Sequence, residues 1–298
     1  MKDGIVLKTL SRLGILLGGF AAVTLLVYAA GKFLVPLTDG ADKAILAAIN
    51  PDSYVPGLDE FFRALTDYTN PIILIFCVSW IIANDLAMLA PRFKNLFAAL
   101  LGVEAAVIVI AASMGKIWPN KTYIGVNAIE VAAFLVFFGG AALLFFRLDR
   151  DALRRMACVV WLMLLSGVVA DFGATQPIKE SVARPRPLNE DNKPWNEQVR
   201  VIPDEVLRGR NSFPSGHTSG TFALLTPLFW YNRRKSVRAG LLGWMVLQGV
   251  SRVYTAAHFP FCCLMGGVLG FTVGTLIFFT LGGPSLWRGP EKESCSAG

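Results

Sequence analysis

Two histidines, His217 and His258, are the only imidazoles among 298 residues, and each stands in a short polar run next to an apolar one. An imidazole near neutral pH can act as a nucleophile, a proton donor or a proton acceptor. Around the first, the chain reads Asn211-Ser212-Phe213-Pro214-Ser215-Gly216-His217-Thr218. Here Pro214 ends a loop and Ser215 can cap a helix. The free backbone N–H groups at such a start, at Ser215 and Gly216, favour an anion. Around the second, Ser251-Arg252 closes an apolar run ahead of His258, and Lys179 and Arg186-Pro187 lie upstream. A guanidinium fork fits phosphate oxygens and an ammonium adds a point charge, so the set matches a phosphate dianion. A histidine at a helix end is commonly structural. Cations such as Arg184, Arg200, Arg208 and Arg210 are explained equally well as solvated or resting on anionic headgroups. Arg252 is not, because an arginine inside an apolar helix is costly and marks a functional site by default.

The elements that must position these residues are transmembrane helices. Hydrophobic residues make up 54% of the chain and charged residues 16%, too few charges for an ordinary soluble domain. Crossing a hydrocarbon core takes roughly 20 helical residues. The runs that qualify are Leu13 to Gly31, Pro71 to Ala90, Leu96 to Gly115, Thr122 to Phe146, Met156 to Thr175, Phe213 to Tyr231, Ala239 to Ala257 and Phe261 to Leu281. Backbone groups in lipid must bond internally, and no period-two pattern suggests a barrel, so the expectation is an all-α polytopic bundle of about six to eight spans. The first run is too long for a signal-peptide core and reads as a retained anchor. Between Gly40 and Thr69, apolar residues mixed with acids and a proline suggest either an amphipathic helix pair on the membrane surface or a packed connection.

Basic residues concentrate in alternate connections, which puts both termini in the cytoplasm and the loop after Lys179 outside. The same scatter accounts for the net charge of +7 without a nucleic-acid partner. Five cysteines show no paired spacing and predict no disulfide framework. Glu104, Glu130 and Asp171 fall within apolar runs, where helix-helix hydrogen bonding or an ion pathway would account for them.

The three polar stretches together resemble the signature of the type 2 phosphatidic acid phosphatase (PAP2) superfamily: Lys-x6-Arg-Pro, Pro-Ser-Gly-His and Ser-Arg-x5-His-x3-Asp. Here they read Lys179 with Arg186-Pro187, then Pro214-Ser215-Gly216-His217, then Ser251-Arg252 with His258. Ten prescribed identities stand in order, between about Lys179 and Cys262. The resemblance divides the chain into N-terminal spans (1–175), a PAP2-like catalytic core (176–282) and a cytoplasmic tail (283–298). It implies His258 as the nucleophile, forming a phosphohistidine, and His217 as the acid for the leaving oxygen. Lys179, Arg186, Ser215, Gly216 and Arg252 would bind phosphate, and neither a cofactor nor a metal is needed.

The motif departs from the family at its last position, where Cys262 replaces an aspartate that orients the nucleophile. A thiol is a poor substitute, so turnover should be impaired or should recruit another acid, such as Asp171 or Asp204. The substrate expected is a lipid phosphate or diphosphate at the outer face of a bacterial inner membrane, with Trp195, Arg200, Arg208 and Arg210 touching its headgroup. The alternatives are a phospholipid-binding relative without turnover and a transporter built on the buried acids.

Overall fold

The computed structural model describes residues 2–99, 101–103, 139–200, 209–282 and 286. Glu104, Glu130, Asp204, Arg208 and nearly all of the tail lie outside the described residues, as do most of the third and fourth apolar runs. The described chain is helical. In order it forms α1 (Lys2–Ala29), α2 (Val35–Ile49), α3 (Leu58–Leu89), α4 (Arg150–Ala170), α5 (Gln176–Val182), α6 (Gly216–Tyr231), α7 (Lys235–Tyr254) and α8 (Pro260–Ile277).

Single π turns, Ala30–Leu34 and Asp171–Thr175, join α1 to α2 and α4 to α5 without breaking the rod. The proline that follows each π turn sits in the first turn of the next segment, where its missing N–H costs little. Among the described residues, four helical segments are long and apolar enough to cross a membrane: Leu7–Ile49, Leu58–Leu89, Arg150–Val182 and Pro260–Gly282. Their outward residues are apolar, Leu25, Leu74, Val168 and Phe172 among them. In lipid such a surface needs no cover.

The first segment has 43 residues. At 1.5 Å per residue it is about 65 Å long against a hydrocarbon core of about 30 Å. Its α2 part therefore rises beyond the lipid. Residues 40–49 and 58–69 are thus not a separate pair of surface helices but the projecting ends of two long helices, linked by residues 50–57. The physical reason is continuity: the π turn and Pro36 carry α1 into α2 without ending the helix, and Asp42 and Leu46 on α2 are buried against the rest of the protein.

The centre of the fold is α6, which packs most extensively on α8 and also on α4 and α7. Close approach of α6 and α8 depends on Gly266 and Gly270. A Cβ at Gly270 would lie 2.1 Å from the Ser219 carbonyl oxygen, and one at Gly266 would lie 2.6 Å from that of Ser215. Small residues at this spacing let helix backbones touch inside a membrane. The N-terminus of α6 is thereby set against the start of α8, with the Ser215 N–H bonded to the Cys262 carbonyl at 3.0 Å.

Candidate active site

Each functional side chain is placed by a local device. Ser215 caps α6, its hydroxyl facing the Thr218 N–H, so Gly216 and His217 occupy the first turn. Gly216 has no side chain because Lys179 lies over it: a Cβ there would come within 2.9 Å of Nζ. Ala183, in the left-handed region at φ 52°, ends α5 and turns the chain away. Two backbone bonds then pair residues 184–186 with 209–212: Arg186 N–H to Gly209 O and Ser212 N–H to Arg184 O, each 3.0 Å. The guanidinium of Arg186 is fixed by its Nε donating to Asn211 Oδ1 at 2.7 Å.

At the end of α7, the Arg252 carbonyl accepts from both the Ala257 and His258 N–H groups at 3.0 Å. The intervening Ala256 has φ 52°, a conformation that costs an L-residue energy and persists only where the surroundings enforce it. This tight turn folds His258 back towards Arg252, and both are almost wholly buried.

The His258 ring lies with Nδ1 2.7 Å from the Ser212 carbonyl oxygen. That oxygen can only accept, so Nδ1 carries the proton and Nε2 keeps the lone pair. Burial, followed by the charges of Arg186, Arg252 and Lys179, pushes the ring well below the ordinary imidazole range, while the Ser212 bond works in the opposite direction. The three cations named from the motifs thus act on one ring.

His217 has different surroundings. Half-buried, it lines a cleft of about 340 Å³ with Lys179, Gly216, Asn70, Asp171 and Gln176. The cleft continues between apolar walls that include Leu74, Leu164 and Phe172. Asn70 on α3 holds the first turns of α6 by donating to the His217 carbonyl at 3.1 Å and accepting from the Thr221 hydroxyl at 2.5 Å. Asp171 accepts from Gln176 Nε2 at 3.0 Å on this side of the site.

Cys262 is fully buried. Its sulfur lies 3.4 Å from Ser212 Oγ and 3.3 Å from Arg184 Nη1. Arg184, which the sequence leaves as a solvated or headgroup-facing cation, is only 4% exposed. Two carboxylates draw it inward, Asp42 Oδ2 at 2.8 Å and Asp39 Oδ1 at 3.3 Å, and its guanidinium stacks 4.2 Å from the Phe259 ring centroid. Asp42 and the Ser212 carbonyl are participants that sequence reasoning missed. A backbone carbonyl has no sequence signature, and Asp42 is separated from Arg184 by 142 positions.

The loop residues expected at a headgroup have other partners as well. Arg200 makes a two-point pair with Asp59 at 2.7 and 2.9 Å, and Asn50 clamps its backbone. Trp195 is half-buried beside Phe259, with Lys43 over its ring. Arg210 is exposed and pairs with Asp191 at 2.8 Å. Among the described residues, no three His, Cys, Asp or Glu side chains gather as a metal site.

One buried and two half-buried cations act on an imidazole beside a helix N-terminus and a cleft with apolar walls, a set of groups suited to a phosphate. Residues 155–282 match the family model of the PAP2 superfamily. Over this segment the chain is similar to the PAP2 phosphatases. It is 29% identical to phosphatidylglycerophosphatase B of Bacillus subtilis over 197 residues, 60% of this chain and 82% of that protein. It is 25% identical to lipid A 4'-phosphatase of Bacteroides thetaiotaomicron over 139 residues, 47% of this chain and 61% of that one. No solved structure matches the chain. Together with its apolar helices, these likenesses make it an integral membrane protein.

Proposed function

We propose that the chain hydrolyses a phosphomonoester or diphosphate of a membrane lipid through a phosphohistidine intermediate. The observation that carries this reading is the His258 ring, its Nδ1 proton held by the Ser212 carbonyl and its Nε2 lone pair free to attack, under the charges of Lys179, Arg186 and Arg252. In the first step Nε2 bonds to phosphorus as the ester P–O bond breaks, and His217 gives its proton to the departing alcohol oxygen. In the second step water attacks the phosphoenzyme, His217 takes its proton, and inorganic phosphate leaves. Lys179, Arg186, Arg252 and the N–H of Gly216 hold the three non-bridging oxygens as charge spreads over them, whereas the Ser215 N–H expected to join them is bonded to the Cys262 carbonyl.

The cleft beside His217 suits the leaving group. Its polar mouth and apolar walls fit a lipid whose chains stay among the helices, more readily than a soluble ester. Phosphatidate, phosphatidylglycerophosphate, a polyprenyl diphosphate and a lipid A phosphate share this chemistry. The basic connections support a site on the exterior face of a bacterial inner membrane, with both termini cytoplasmic. Within the chain, residues 176–282 carry the catalytic side chains and 1–175 the supporting spans.

The test is phosphate release by the purified protein from a panel of lipid phosphates, with His258→Ala as the control and an acid-labile phosphoenzyme sought by rapid quench. Turnover that survives His258→Ala overturns the mechanism. Cys262 keeps a second reading in view, a phosphate-lipid binder without turnover. That reading gains if neither the wild type nor Cys262→Asp releases phosphate while both bind the lipid.

A further inference from the structure

We propose that Asp42, on the part of the first long helix that projects beyond the lipid, is a positioning residue for His258, balancing through Arg184 the charge that a carboxylate at residue 262 would supply. The inference rests on the reading of His258 as nucleophile. A continuous path links the two residues. Asp42 Oδ2 accepts from Arg184 Nη1 at 2.8 Å, Nη1 lies 3.3 Å from the Cys262 sulfur, that sulfur lies 3.4 Å from Ser212 Oγ, and the Ser212 carbonyl accepts from His258 Nδ1 at 2.7 Å.

Charge explains why the path matters. Attack by Nε2 turns the neutral ring into a cationic phosphoimidazolium while the charges of Lys179, Arg186 and Arg252 already act on it. A carboxylate at residue 262 would offset that positive charge from behind, but Cys262 is a buried thiol. Behind it stands a fourth cation, Arg184, itself buried. Left unbalanced, Arg184 would oppose the positive ring. Asp42 is 3% exposed and contacts the guanidinium directly. Asp39 is the weaker partner, more exposed and shared with Lys43 at 2.8 Å.

The other oxygen of Asp42 makes charge and scaffold separable. Oδ1 accepts the Phe261 N–H at 2.8 Å, at the start of α8. An asparagine side chain retains a carbonyl oxygen for that bond, while its NH2 group neither carries the charge nor accepts from Arg184 Nη1, so the Arg184 ion pair is what is lost.

The experiment compares wild type, Asp42→Asn, Asp42→Glu, Cys262→Asp and the Asp42→Asn/Cys262→Asp double variant, with His258→Ala as control. The readouts are phosphate release from dioctanoyl phosphatidate in detergent micelles across pH, and melting temperature. Asp42→Asn is expected to lower kcat about tenfold or more with KM nearly unchanged, a coupling within the range for residues sharing one charge network. The acid limb of its kcat/KM profile should move to lower pH, because the unbalanced Arg184 further weakens proton binding by His258. Asp42→Glu should recover part of kcat. Cys262→Asp should raise kcat more in the Asp42→Asn background than in wild type, since a carboxylate at 262 then becomes the partner of Arg184.

The proposal is overturned if Asp42→Asn keeps the wild-type kcat and acid limb, if its losses follow the folded fraction alone, or if the gain from Cys262→Asp is equal in both backgrounds. An inactive His258→Ala beside a wild-type-like Asp42→Asn removes this inference and leaves the nucleophile in place. An active His258→Ala, or no turnover in both wild type and Cys262→Asp, removes the underlying reading and this inference with it.

Discussion

The two histidines sit in contrasting halves of one site. His258 is closed in at the end of α7, its ring held by a backbone carbonyl and pressed by three cations. His217 is half-open on the first turn of α6, along a cleft that also contains the carboxylate of Asp171. The first setting favours a neutral ring with a defined lone pair, and the second admits a substrate's leaving group and a neighbouring negative charge. Under the proposed mechanism identical side chains take opposite proton duties because of their surroundings, the usual way in which one site runs acid and base chemistry together.

The largest test of this contrast is His258→Ala, which should reduce phosphate release at least about 10⁴-fold, as loss of a covalent catalytic residue does elsewhere. His217→Ala should cost about 10²–10⁴-fold on an alkyl lipid phosphate, the range for general acid catalysis. The deficit should shrink on an aryl phosphate, whose leaving oxygen needs no proton, and steady-state assays on both esters check this. Equal losses on both esters would erase the distinction between the two rings.

A structural variant sharpens the same contrast. Gly270→Ala forces a methyl group against the Ser219 carbonyl and must displace the α6 turns that carry His217. A cost of about 1–3 kcal/mol is typical of such overpacking. It should lower the melting temperature in detergent and reduce turnover more on the alkyl ester than on the aryl one.

The smallest effect expected is a shift in pH dependence. Because burial and then Arg186 push the His258 ring below the usual imidazole value of about 6.5, the ring is neutral at pH 7 and is protonated, losing its lone pair, only well below that value. The acid limb of kcat/KM should therefore lie on the acid side of an ordinary histidine. Arg186→Gln removes one repelling charge and should move that limb upward, which a pH-rate profile measures directly.

Part of this arrangement was legible from residue types. An arginine in an apolar run, Ser215 ahead of a helix and three spaced polar stretches pointed to Lys179, Arg186, Arg252, His217 and His258, because buried charge and helix caps have local signatures. The projecting helices were less legible. Residues 40–69 mix apolar and acidic positions, and only packing shows whether such a stretch lies on a membrane or climbs away from it. Arg184 was misjudged for a related reason: a cation's burial depends on partners elsewhere in the chain, here Asp39 and Asp42.

The amino-acid order by itself determined that the protein is a bundle of apolar helices and that its motif residues are suited to hold phosphate, since hydropathy and side-chain chemistry are local properties. Only the tertiary structure decided which nitrogen of His258 keeps its lone pair and which acid stands behind Cys262. Both depend on contacts between distant segments, a carbonyl at residue 212 and a carboxylate at residue 42, which distance along the chain conceals and helix packing brings together.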